Sequence, residues 1–165
     1  MHGLLIDTFE FSRLKGRREG RLPITDLARL AKEVVSKTGE IQWVLIGDSD
    51  HVGHPRLTLR IDGAVELICQ RCLGSLNVDV SSEATLILAK DDEQADQIDE
   101  LLSDDTIDVI VGTKAMSIAE LVEDEALLTI PLSVRHDVCP DAPMGDTRSS
   151  SKVSPFAALK ELRRS

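Results

Sequence analysis

The sequence predicts an α+β fold, an antiparallel β meander or partial barrel with a few flanking helices, and three observations point to it. From residue 56 to residue 88, apolar and polar side chains alternate in successive runs, which is the period of half-buried strands. Helical spacing of apolar residues is confined to segments before and after those runs, so strands are grouped and helices lie at the ends. The chain has 165 residues, 42% of them apolar, enough to bury one core without covalent staples. The expected division is a single α+β domain over residues 1–140, then a flexible linker and short C-terminal helix over residues 141–165.

Taken in order, Thr25 to Ser36 places Leu27, Leu30, Ala31 and Val34 at helical spacing with Gly39 as a stop, predicting one amphipathic helix. Ile41 to Ile46, with Trp43 among aliphatic neighbours, predicts a strand, and the polar run Asp48 to Pro55 a connection. Arg56 to Asp62 alternates strictly, and Val65, Leu67 and Cys69 alternate likewise. A two-residue Asp62-Gly63 turn would pair Leu59 with Glu66 and mix the faces. A three-residue loop through Ala64 instead pairs Ile61 with Val65, Leu59 with Leu67, and Leu57 with Cys69. The expectation is that hairpin, with Cys69 on the inner face.

From Leu76 the even positions Val78, Val80, Ala84, Leu86 and Leu88 continue an apolar face broken only at Ser82, a long strand returning from the Cys turn. The acidic run Asp91 to Asp105 is expected as a solvated loop or frayed helix, because dense like charge opposes burial. Thr106 to Val111 reads as another strand. Ser117-Ile118-Ala119-Glu120 has the form of a capping box, and Ile118, Leu121, Val122 and Ala126 carry an apolar stripe on to Pro131. Beyond Pro140 the composition turns to Asp, Ser, Pro and Gly, a linker before Ser154-Pro155-Phe156 opens a last short basic helix.

A formal charge of −10, three Phe, one Trp and no Tyr argue against a broad nucleic-acid platform, which needs cations and stacking rings. The charge is uneven. Arg13, Lys15, Arg17, Arg18 and Arg21 crowd the N-terminal region and are the candidate RNA or partner contacts, whereas residues 91–108 hold nine acidic residues and no basic one. No run approaches the roughly 18–20 apolar residues of a membrane span, and Asp7 breaks the opening apolar stretch early. A cytoplasmic protein with no membrane contact is expected.

Cys69-Gln70-Arg71-Cys72 is the sharpest local feature, since two thiolates in a tight turn can hold a tetrahedral metal from one side. His136-Asp137-Val138-Cys139 supplies an imidazole and a thiolate at the same spacing. Cys69, Cys72, His136 and Cys139 together can form a Cys₃His zinc site, a structural clasp between the meander and the segment after the long helix. The plain alternative is that Cys69 is a core residue on the pleat and the others incidental. A redox dithiol would need a helix N-terminus or a cation beside the turn; Arg71 supplies a cation, but Leu73-Gly74-Ser75 leads into a strand. His51 and His54, flanked by Asp48 and Asp50, lie in a Gly- and Pro-containing loop and read as solvated polar residues. Glu120, Glu123, Asp124 and Glu125 read as the wet face of an amphipathic helix. With no Gly-rich phosphate loop, nucleophile elbow or HExxH motif, no catalytic residue is assigned, and neither an enzyme nor a small-molecule substrate is expected.

Four pieces in order, Glu66 to Leu73, Glu123 to Leu132, His136 with Cys139, and Ser154 to Leu159, resemble the YceD family of large ribosomal RNA subunit accumulation proteins, most closely from Glu66 onward. The resemblance implies a bacterial-type ribosome biogenesis protein needed for accumulation of large-subunit ribosomal RNA. The partner expected for such a protein is a ribosomal protein or the large-subunit rRNA precursor. The function expected is therefore that of a non-catalytic biogenesis factor; the competing expectation is a zinc-clasped protein interaction module unrelated to ribosomes.

Overall fold

The computed structural model describes residues 4–104 and 106–140. The expected linker and C-terminal helix over 141–165 lie outside the described residues. A short strand β1 (Leu5–Ile6) runs into α1 (Thr8–Arg13). Asp7 caps that helix, its carboxylate accepting from the amides of Phe9 and Glu10. Next come β2 (Arg17–Pro23), a single 3₁₀ turn (Ile24–Asp26), α2 (Leu30–Glu33), β3 (Glu40–Ser49), β4 (Pro55–Ile68) and β5 (Ser75–Ala89). The chain continues through α3 (Asp92–Leu101), β6 (Ile107–Val111), β7 (Met116–Ser117) and α4 (Ile118–Thr129).

Five strands form an open sheet in the order β2-β3-β4-β5-β6, and β1 pairs separately with β7. The first four strands are an antiparallel meander and β6 is parallel to β5. The expected α+β class with an antiparallel meander is what forms, as an unclosed sheet. The odd positions of β3 and β4 face inward, where Ile41, Leu45, Leu57, Leu59, Ile61, Val65 and Leu67 are buried with Val122 and Ala126 of α4. Ser82, the break in the apolar face of β5, donates from its hydroxyl to Glu125 of α4 at 2.5 Å. The interruption is thus a cross-element hydrogen bond.

The register departs from expectation at Asp62-Gly63-Ala64. There is no hairpin there: β4 continues straight through, with Ile61 opposite Ser82, Leu59 opposite Ala84, and Leu57 opposite Leu86. Two facts explain why. A hairpin turn of that kind needs left-handed backbone, whereas among the described residues only Gly39 and Gly53 of the glycines have positive φ. A side chain on Gly63 would also meet Ile41 Cδ1 at 2.8 Å and the Glu40 carbonyl at 3.0 Å, so this glycine permits β3 to lie close against β4. The continuous strand gains ladder bonds on both edges, to β3 through residue 63 and to β5 through residue 68. The odd-position phase survives unchanged, and Cys69 is buried inward as expected.

The expected helix over Thr25 to Ser36 shrinks to the 3₁₀ turn and one turn of α2. Its amides are claimed elsewhere: those of Arg29 and Leu30 donate to the Glu123 carboxylate, and that of Val35 donates to the Glu66 carbonyl. Tertiary partners thus override the helical pattern. The basic segment from Arg17, to which the sequence pattern assigned no element, is the edge strand β2, and α1 precedes it. The acidic run, in contrast, forms helix α3, with Asp91 as N-cap accepting from the Gln94 amide. Acidic residues in its first turn favour the helix dipole. Ile98 of α3 packs on Ile87 and Ala89 from the outer face of the sheet. That helix is the crossover that a parallel β5–β6 pair requires.

Candidate metal centre

The Cys turn links β4 to β5. The Cys69 amide donates to the Gly74 carbonyl at 2.8 Å, and the Leu73 amide donates to the Cys69 carbonyl at 2.9 Å. Leu73 takes φ +62° to close the loop, a conformation uncommon outside glycine and asparagine. The segment after α4 is drawn onto this turn by the Gln70 amide, which donates to the Val134 carbonyl at 2.9 Å. The two half-sites, separated in sequence by more than sixty residues, therefore meet.

One ligand atom from each of Cys69, Cys72, His136 and Cys139 lies within 4.8 Å of every other. Cys69 Sγ is 3.9 Å from Cys139 Sγ, and Cys72 Sγ is 3.3 Å from His136 Nδ1. A tetrahedral zinc with bonds of about 2.3 Å to sulfur and about 2.0 Å to nitrogen has S–S edges of about 3.8 Å and S–N edges of about 3.5 Å. The four residues can hold such an ion with only small adjustments, and three sulfurs with one imidazole are a donor set suited to it.

The surroundings complete the arrangement. Cys69 Sγ accepts from the amides of Arg71 and His136, each at 3.4 Å. Burial opposes ionisation of Cys69, but the amides of Cys72, His136 and Arg71 outweigh it and bring the thiol down to about 5. Cys139 moves the other way, to about 11, through burial and then its neighbouring cysteines. A cation at the centre reverses this mutual repulsion. His136 Nε2 lies 3.1 Å from the Ser75 carbonyl, which only accepts, so Nδ1 is the nitrogen left for a metal. No helix follows Cys72; the chain enters β5.

The five basic candidates do not form one patch. Strand alternation puts Arg17 and Arg21 on the outer face with Glu19, and Arg18 on the opposite face. Arg17 pairs with Glu19 at 2.7 Å, Arg21 with Glu40 at 3.0 Å, and Arg13 with Glu10 at 3.7 Å. Arg18 reaches the Leu5 carbonyl, and Lys15 sits in the left-handed turn between α1 and β2. The pairs are exposed and weak, so each arginine is able to exchange its carboxylate for another anion.

In the 48–55 loop the Asp50 carboxylate accepts from the amides of Val52, Gly53 and His54 and contacts His54 Nδ1. This is a folded turn whose polar groups serve one another. Glu123 departs from the wet face expected for it, being only 6% exposed. It accepts from the Arg29 and Leu30 amides and from Arg29 Nε, joining α4 to the N-terminal segment. Sequence reasoning missed this joint, and missed Ser75, because a backbone carbonyl carries no side-chain signal.

Among the described residues no helix is long and apolar enough to cross a membrane. The family model described as large ribosomal RNA subunit accumulation protein YceD matches residues 57–163. Neither a curated protein nor a solved structure matches the chain. The matched span opens inside β4 and takes in the Cys turn and its second half-site; β1 to β3 lie before it.

Proposed function

This chain belongs to the YceD family of large ribosomal RNA subunit accumulation proteins, and from that premise we propose that it is a non-catalytic ribosome biogenesis factor of the cytoplasm. It supports accumulation or processing of large-subunit rRNA through contacts with a ribosomal protein or the rRNA precursor. The family match is the observation that carries this reading, and it favours the ribosomal role over a zinc-clasped module unrelated to ribosomes. The metal centre serves as a clasp, not a reaction site: a zinc ion there would bind Cys69, Cys72, His136 and Cys139 and lock the tail segment to the sheet. Two surfaces suit the partners. Helix α3 and its flanks present a dense acidic face that complements a basic ribosomal protein, and the exposed arginines of β2 can meet phosphate.

Depletion of the protein in its own cells tests the reading. Large-subunit rRNA should fall relative to small-subunit rRNA, and affinity capture should recover large-subunit components. Nuclease treatment separates the routes: a ribosomal protein partner remains, an rRNA contact is lost. Unchanged rRNA and subunit profiles on depletion would overturn it.

A further inference from the structure

The five-stranded sheet has two edges, β2 and β6, and they are built differently. Strand β2 carries Arg17, Arg18, Glu19 and Arg21 and ends at Pro23, features that discourage another strand from pairing with it. Strand β6, Ile107-Asp108-Val109-Ile110-Val111, has a single charge and no proline. The Gly112 amide donates to the Ala89 carbonyl at 2.9 Å, continuing the parallel ladder in which Val111 lies opposite Ala89. Successive residues of a strand turn their backbone groups to opposite sides. Asp108 and Ile110 therefore bond toward β5, as Gly112 does, and Ile107, Val109 and Val111 point their N–H and C=O groups away from it. The Ile107 amide turns back to the Asp104 carbonyl. Those of Val109 and Val111 have no hydrogen-bond partner among the described residues. An edge of this kind is a template for strand addition.

We propose that the β6 edge takes an extended segment of a partner protein, added to the sheet beside β6, with Lys or Arg at the alternate positions that face α3. This deepens the protein-contact route of the proposed function and rests on it. Two features select the occupant. The first is the bonding pattern. Unpaired N–H and C=O groups that recur at every second residue of an extended strand are matched by another extended backbone, not by a helix.

The second is charge complementarity. Helix α3 covers the outer face of β5 and β6, where Ile98 packs on Ile87 and Ala89, with Ile107 and Val109 against them. Its Asp92, Glu93, Asp96, Asp99 and Glu100 are exposed, and none of them makes a salt bridge among the described residues. Asp108 of β6 itself is exposed as well. Side chains of an added strand alternate between the two faces of the sheet. One set emerges beside α3 and meets its carboxylates, and the other lies beside Asp108 and Ile110. The same charge opposes a second copy of this chain, because pairing β6 with itself would set two acidic helices at one edge. It also repels an RNA backbone.

NMR of the nitrogen-15-labelled full chain tests it, with a short capped peptide of alternating Arg and Val as the probe. The peptide should shift the Val109 and Val111 amides and slow their exchange with solvent about tenfold or more, and leave the β2 edge unchanged. The same peptide methylated on every second backbone nitrogen keeps its charge but loses those donors, and should bind about tenfold more weakly or worse. Val109→Pro removes an outward N–H and spares the ladder to β5, so it should weaken binding similarly while the Trp43 and Leu57 amides stay in place. Asp96→Asn combined with Asp99→Asn should lower both the affinity and its salt dependence. Equal binding of the methylated peptide, or shifts confined to other strands, would overturn the proposal. Val109 and Val111 amides already protected in the peptide-free protein would also overturn it: protection that survives dilution assigns the edge to this chain's own residues, and protection lost on dilution assigns it to a second copy. Loss of large-subunit rRNA on depletion without peptide binding would remove this edge and leave the ribosomal role standing. Strand-type binding with unchanged rRNA would keep the edge and remove that role.

Discussion

His136 Nε2 lies 3.1 Å from the backbone carbonyl of Ser75, and this contact decides which face of the imidazole meets the cysteines. Because a carbonyl has no proton to give, Nε2 carries the hydrogen and Nδ1 turns its lone pair toward Cys72. A strand that begins immediately after the Cys turn thereby orients a candidate ligand from the far end of the described domain. Metal-binding histidines typically donate their other ring nitrogen to a carbonyl or carboxylate in this way, which fixes the tautomer and the ring orientation.

Protein purified without chelators should carry about one equivalent of zinc bound by three sulfurs and one nitrogen. Elemental analysis and X-ray absorption measure both. Cys69→Ser and Cys72→Ser should each lower the content sharply and reduce thermal stability, since metal binding and folding are linked. Less than about a tenth of an equivalent in the unsubstituted protein would end the clasp interpretation.

The Ser75 contact is made by backbone, which gives a sharper test of His136. Ser75→Ala should keep zinc affinity within a few-fold, whereas His136→Ala should lose about 10- to 100-fold or more. Competition with a zinc indicator measures each, and nitrogen-15 shifts of the ring should show Nδ1 as the metal-facing atom. A large loss in Ser75→Ala would mean that the hydroxyl, not the carbonyl, supports the site.

Glu123→Ala should destabilise the fold by about 2–4 kcal/mol, because it leaves two amides without their acceptor in a buried joint. Arg29→Ala should cost far less, its guanidinium being half exposed. Burial opposes the charge on Glu123, yet the Leu30 and Arg29 amides and the Arg29 side chain hold its carboxyl below the ordinary 4.5. The stabilisation is thus present above that value and lost on acidification below it. Urea unfolding of the two variants at neutral pH distinguishes this amide-capping role from a simple ion pair.

Gly47→Ala should cost more than Gly63→Ala. A methyl at Gly47 would meet the Phe11 carbonyl at 2.7 Å and Ser12 Cα at 2.9 Å, both backbone atoms of α1. At Gly63 the closest atom is the end of the Ile41 side chain, which can move. Overpacking of the first kind costs about 1–3 kcal/mol, read from chemical denaturation. Equal and negligible losses would contradict the close approach of α1 to β3 and of β3 to β4.

Asp50 supplies a pH test away from the candidate metal centre. Burial opposes its charge, but His54 and the amides of His54, Gly53 and Val52 bring the carboxyl down from 3.8 to about 2. A depressed carboxyl contributes stability that is complete above its unfolded value and disappears as pH falls through the folded one. Asp50→Asn should therefore flatten the stability profile between about pH 4 and pH 2. An unchanged slope there, measured by denaturant titration, would remove Asp50 from the acid response.

Features that depend on period and spacing are legible in the residues alone. The odd-position apolar phase from Leu57 to Cys69 put Cys69 inward whether or not the strand turned back, because side-chain direction along a strand alternates regardless of its partner. The matching two-residue gaps in Cys69 to Cys72 and His136 to Cys139 marked two half-sites for the same reason of local geometry. Which groups meet depends instead on how the chain folds back on itself. Asp62-Gly63 reads locally as a turn, but the approach of Ile41 and Glu40 makes it the middle of a strand. Thr25 to Ser36 reads as a helix, but Glu123 and the Glu66 carbonyl claim its amides. Glu123 reads as solvent-facing, but it closes a joint to a segment more than ninety residues away. Each of these depends on a partner remote in the chain, and no local pattern encodes a remote partner's position.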